Sequence, residues 1–140
     1  MNLVKEVSVK MASKRLILTI EDNSDTLIVY QSLLELDGYQ VYTAQSGEEG
    51  LRMFNLGKFD AVILDLSMPD MSGVDVLKEI RQVSRDIPVI VMTGSVRPGL
   101  REQCEQLGVQ GYVLKPAIED LIESIASLFS REGRRLCEQL

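Results

Sequence analysis

Glu21, Asp22, Asp65, Thr93 and Lys115 each close or follow a short apolar run of this sequence. "RLILTI" leads into the first two, "DAVIL" into Asp65, "IPVIVM" into Thr93 and "GYVL" into Lys115. Three carboxylates gathered in one place repel one another, and a divalent cation relieves that repulsion. Carboxylate, carbonyl and water ligands suit Mg2+, with Mn2+ as an alternative, rather than zinc. With such an ion and the Lys115 ammonium the formal charges cancel, leaving a site able to receive an anionic phosphoryl group. Lys115 and the metal would neutralise its equatorial oxygens, and the Thr93 hydroxyl could donate to one of them. An aspartate held against the metal is a plausible nucleophile, because carboxylates do form acyl phosphates.

These residues act together only if the fold gathers positions spread along most of the chain. Strand signals at 15–20, 39–44, 60–65, 87–93 and 111–115 alternate with helical ones. The first helix starts with Asn23 or Ser24 as cap, carries Leu27, Tyr30 and Leu34 at helical spacing, and stops at Gly38. Further helices are expected over 46–54, about 72–83 with Val76, Leu77 and Ile80 inward, and about 98–107, closed by Gly108. Ile118, Leu121, Ile122, Ile125 and Phe129 stripe the last one. The third and fourth strands are continuous Val/Ile/Leu runs, as in a parallel sheet covered on both faces. Right-handed crossovers then give an α/β fold, a doubly wound five-stranded parallel sheet flanked by five helices. In such a sheet ligands bind beyond the carboxyl ends of the strands, where all five chemical residues fall. The second strand ends in Thr43-Ala44, as an edge strand away from the site would.

Composition narrows the function further. The 140 residues are 45% hydrophobic and 26% charged, ordinary globular usage for one domain. A net charge of −6 argues against direct nucleic-acid binding through a broad basic surface. No apolar run reaches membrane-spanning length, and the first residues lack an uninterrupted signal-peptide core. Histidine is absent, which excludes His-based triads, His zinc sites and His-ligated haem. Cys104 and Cys137 have no metal or redox spacing, so a reduced, cytoplasmic setting is expected. One domain over 14–130 is expected, with tails at 1–13 and 131–140.

"LTIEDN", "ILDLSMPDMSG", "VIVMTG" and "GYVLKP", in this order and spacing, closely resemble the receiver domain of two-component response regulators, a flavodoxin-like fold. The resemblance covers essentially all of 14–130 and implies the sheet order 2-1-3-4-5. It implies Asp65 as phosphoacceptor, with Mg2+ held by Asp22, Asp65 and the Ser67 backbone carbonyl, and by Glu21 through a water. Thr93 would be the switch hydroxyl, Lys115 the phosphate-pairing cation, and Tyr112 the aromatic switch. A cis Lys115–Pro116 peptide would aim Lys115 inward. Glu-Asp stands for the commoner Asp-Asp, Gly94 and Ala117 replace a frequent alanine and aromatic, and Gly50 weakens the second helix by about 1 kcal/mol relative to alanine. Met68 and Met71 read as loop packing. The small Ser67 and Ser95 would border the water that hydrolyses the acyl phosphate, leaving it poorly shielded.

The implied partners are a sensor histidine kinase or histidine phosphotransfer protein, and a downstream protein or second copy at the surface of the fourth helix, fifth strand and fifth helix. Cys104 and Tyr112 are expected on that surface. A haloacid-dehalogenase-type phosphatase would need an aspartate where Ser67 stands. A flavodoxin-like electron carrier would place FMN phosphate against Glu21-Asp22. A pseudo-receiver, which never carries phosphate, conflicts with the intact residue set.

Overall fold

The computed structural model describes residues 14–68 and 70–138, with side-chain surroundings up to residue 130. Five strands, β1 (Leu16–Ile20), β2 (Gln40–Ala44), β3 (Ala61–Asp65), β4 (Val89–Thr93) and β5 (Gly111–Leu114), alternate with five helices. The helices are α1 (Ser24–Leu36), α2 (Gly47–Leu56), α3 (Gly73–Val83), α4 (Leu100–Gln106) and α5 (Ile118–Glu138). All strand pairs are parallel and the order is β2-β1-β3-β4-β5. The fold class expected from the alternation of runs is the one observed.

Local sequence sets the helix starts. The Asn23 side chain accepts from the Thr26 N–H, Ser46 Oγ from the Glu49 N–H and Ser72 Oγ from the Val74 N–H. Each cap satisfies an N–H that the first turn leaves without a helical partner. Gly38 and Gly108 end α1 and α4 with φ of 94° and 75°, a left-handed backbone that glycine adopts without a Cβ penalty.

The central strands β3 and β4 are buried along their whole length. Alternate residues feed two cores. Leu18, Ile20, Val62, Leu64 and Val91 pack with Phe54 of α2, Leu77 and Ile80 of α3, and Leu100 of α4. Ile17, Ile63, Ile90, Met92 and Val113 pack with Tyr30 and Leu34 of α1 and with Leu121 and Ile125 of α5. Met68 and Met71 pack against the first of these cores.

Three features differ from the sequence expectation. Cys104 is fully buried in the α2–α3–α4 core rather than on the outer surface. Leu100 and Cys104 lie one helical turn apart and together form the inward side of this short helix. The last helix continues to Glu138, through residues expected as a tail. Gly50 is not merely a weak spot of α2, because a Cβ there would lie 2.5 Å from Ile20 Cδ1, so the glycine lets α2 approach β1. The expected tail at 1–13 lies outside the described residues, as does Pro69 of "MPDMSG".

Candidate functional site

Strand register brings the chemistry together. Ile20 pairs with Leu64, Asp65 with Met92, and Thr93 with Leu114, so the carboxyl ends of β1, β3, β4 and β5 form one rim. Glu21 follows β1 and is 1% exposed, Asp65 ends β3 at 2%, and Thr93 ends β4 with no exposure. Asp22 is exposed at the mouth. Carboxylate oxygens of Glu21, Asp22 and Asp65 lie within 4.8 Å of one another.

Lys115 bridges the two buried acids. Its Nζ donates to Glu21 Oε1 at 2.7 Å and lies 3.2 Å from Asp65 Oδ2. The Lys115 N–H donates to the Thr93 carbonyl at 2.8 Å, which holds the end of β5 against β4, and the Lys115–Pro116 peptide is cis. The Ser67 N–H turns back onto Asp65 Oδ1 at 3.1 Å, curling the loop after β3 around the carboxylate. Thr93 Oγ1 accepts from the Ser95 N–H at 3.0 Å, which leaves its own proton available to donate elsewhere. Ser67, Thr93 and Ser95 line a cavity of about 210 Å³.

Burial dominates the titration of this cluster. It pushes the Glu21 carboxyl from 4.5 up to about 8, with the hydrogen bond to Asp65 adding to the rise and Lys115 opposing it. Burial alone would lower the Lys115 ammonium, but its contacts with Glu21 and Asp65 outweigh this and raise it. The Glu21 carboxyl therefore keeps its proton through most of the neutral range while Lys115 stays charged.

The residues fit a hard divalent ion. The donors are all oxygen, and Glu21 Oε2 is buried with no hydrogen-bond partner among the described residues. An orphaned buried carboxylate oxygen is costly, and a metal-bound water would satisfy it. No other group of three metal-ligating side chains occurs among the described residues. A larger cavity of about 880 Å³ at the opposite end of the sheet, lined by Arg15, Asp60, Asp86 and Gln110, holds no such group.

Tyr112 stays outside the acidic cluster. It is half-exposed on β5, with the Arg101 guanidinium 5.5 Å over its ring. Several contributors to the site escaped the sequence reading. Tyr30, expected as core, has its hydroxyl raised first by burial and is then influenced by Lys115, Glu21 and Asp65, which places it within electrostatic reach. Asp70 accepts from the Gly47 and Glu48 N–H groups at 3.2 and 3.1 Å, tying the loop after β3 to the start of α2. Gly73 is required by close approach, because a Cβ would meet the Leu66 Cα at 2.3 Å. Only the glycine itself, in "MSG", hinted at this.

The family model described as "Response regulator receiver domain" matches residues 17–126. The chain is 35% identical over 104 residues to the cell cycle transcriptional regulator CtrA of Caulobacter vibrioides, covering 74% of this chain and 45% of that protein. It thus spans about half the length of the curated relatives it first matches. A CheY-like receiver domain protein from Methanospirillum hungatei superposes with a TM-score of 0.82 at 26% identity, over 88% of this chain and 99% of that one. The response regulator TrrA of Thermotoga maritima, solved in complex with Mg2+ and BeF, gives 0.74 at 32% identity, over 81% and 98%.

Proposed function

The chain belongs to the response regulator receiver domain family of two-component signalling, and from that premise we propose that Asp65 is its phosphoacceptor. The observation that carries this reading is the Lys115 ammonium held 2.7 Å from Glu21 and 3.2 Å from Asp65, beside a buried threonine hydroxyl. A phosphoryl group on Asp65 would meet a cation already in place and a hydroxyl donor nearby that can turn toward it.

Asp22, Asp65 and the Ser67 carbonyl would hold Mg2+, with Glu21 reaching it through a water. The ion would supply charge neutralisation for the phosphoryl oxygens. An Asp65 Oδ atom attacks phosphorus as the P–N bond of a phosphohistidine donor breaks, and the imidazole departs with the bonding pair and takes up a proton. Lys115 exchanges its bond to Asp65 for one to a phosphoryl oxygen, and Thr93 donates its hydroxyl proton to another. Burial of Asp65 and Glu21 keeps these interactions strong. Hydrolysis by water returns the carboxylate, so the domain works as a switch that catalyses only its own phosphorylation and dephosphorylation.

The donor is a histidine kinase or phosphotransfer protein, and the receiver unit is residues 14–130. The signal leaves by Thr93 moving inward and Tyr112 following, which remodels the α4–β5–α5 face for a protein partner or a second copy. Intact-mass measurement after incubation with acetyl phosphate and Mg2+ tests the reading. One phosphoryl adduct is expected, absent in Asp65→Asn and on chelation; an adduct that persists in Asp65→Asn overturns it.

A further inference from the structure

The loop between β4 and α4 carries two consecutive side-chain to main-chain hydrogen bonds. Thr93 Oγ1 accepts from the Ser95 N–H at 3.0 Å, and Ser95 Oγ accepts from the Arg97 N–H at 3.2 Å. The switch hydroxyl is thereby linked, through Ser95, to the backbone of Arg97. Arg97 is exposed, and it lines two cavities at once. One, of about 210 Å³, is lined by Ser67, whose N–H donates to Asp65, with Thr93 and Ser95, and Arg97 is the charged residue on its wall. The other, of about 250 Å³, contains Tyr112, Arg101 and Leu114. Ser95 and Arg97 are the residues common to both. The Arg97 charge opposes, at Cys104 and at Tyr112, the rise that burial produces.

We propose that Arg97 is a second, mobile cation for the phosphoryl group, drawn from the Tyr112 side of the loop to the Asp65 side when that group arrives. The inference rests on the reading of Asp65 as phosphoacceptor. A Thr93 hydroxyl that turns to the phosphoryl group gives up its bond from the Ser95 N–H, which frees the loop and with it the Arg97 backbone. A doubly charged anion then attracts the guanidinium, whose fork geometry suits phosphoryl oxygens. Its departure opens the space into which Tyr112 turns. Lys115 holds the anion from the buried side, and Arg97 closes it from the solvent side.

Beryllofluoride with Mg2+, titrated by 19F NMR into wild type, Asp65→Asn, Arg97→Ala and Arg97→Lys, tests this. Circular-dichroism melts accompany each variant, and hydrogen exchange reads the segment around Tyr112. Wild type binds and Asp65→Asn does not. Arg97→Ala is expected to bind about tenfold more weakly, the size of one charge-assisted hydrogen bond, with a shallower salt dependence and an unchanged melt. Arg97→Lys recovers part of the affinity, and protection around Tyr112 changes less on binding in Arg97→Ala than in wild type. Wild-type affinity in Arg97→Ala, while Asp65→Asn still fails, overturns the Arg97 role alone. Absence of binding in wild type overturns the phosphoacceptor reading and this inference with it.

Discussion

Binding of Mg2+ should expel a proton from the buried Glu21 carboxyl. Glu21 is almost fully buried, and its carboxyl is raised from 4.5 to about 8 by burial first and by its bond to Asp65 second. At pH 7 a group with that pKa holds about 0.9 of a proton in the metal-free protein. A divalent ion in the cluster favours the ionised form, so nearly all of that proton leaves on binding. Lys115 contributes none, because its ammonium is raised and stays charged throughout. Calorimetric titration with Mg2+ in buffers of differing ionisation enthalpy reads the number as a slope. About 0.9 proton is expected at pH 7, less than about 0.1 at pH 9.5, and close to none in Glu21→Gln at either pH.

The sign carries over to stability. A carboxyl raised on folding binds more protons in the native state, so its contribution is full below 4.5 and is lost as pH rises to about 8. The metal-free protein should therefore lose stability across that window by up to about 1.4 kcal/mol per pH unit, and saturating Mg2+ should flatten the slope. Release of no proton from wild type at pH 7 would refute the raised Glu21 carboxyl.

Asp22→Ala removes a carboxylate that is exposed at the mouth, so its melt should match wild type while phosphorylation from acetyl phosphate disappears; normal labelling would remove the metal assignment. Gly73→Ala drives a Cβ to 2.3 Å from the Leu66 Cα and 2.8 Å from the Asp65 carbonyl, atoms that cannot rotate away. A loss of about 1–3 kcal/mol by chemical denaturation is expected, and a neutral result would mean the loop after β3 is free to shift. Gly50→Ala gains up to about 1 kcal/mol of helix propensity but forces Ile20 aside, with Cδ1 at 2.5 Å. The net should be destabilising, and adding Ile20→Val should restore part of it; a more stable single variant would show that the Ile20 side chain repacks freely.

Much of the fold was legible because each signal was local. The buried runs of β3 and β4 carry no alternation, the Asn23 cap sits just before apolar periodicity, and Gly38 and Gly108 mark stops. The gathering of Glu21, Asp22, Asp65, Thr93 and Lys115 could be read from where the runs end. What stayed hidden depends on contacts between distant segments. Arg81 looks like a solvated residue near a helix end, yet its guanidinium donates to the carbonyls of Leu107, Ile87 and Gly108 at 2.6, 2.8 and 3.0 Å, tying α3 to the end of α4. Asp70 reads as an ordinary loop acid until α2 is beside it. The Cys104 placement failed because the seven residues of α4 offer barely two turns of periodicity. Gly50 was read as a propensity defect because its reason, Ile20, is thirty positions away and one layer below.

Locating the phosphoryl group itself is the most direct measurement. The chain, treated with acetyl phosphate and Mg2+ and then reduced with borohydride, converts an acyl phosphate to the corresponding alcohol, which tandem mass spectrometry of the digested chain assigns to one residue. Asp65 should be converted to homoserine, with Glu21 and Asp22 untouched and no conversion once Mg2+ is chelated. Conversion at Glu21 or Asp22, or none at Asp65 while the intact chain carries phosphate, would contradict the assignment of Asp65 as the phosphoacceptor.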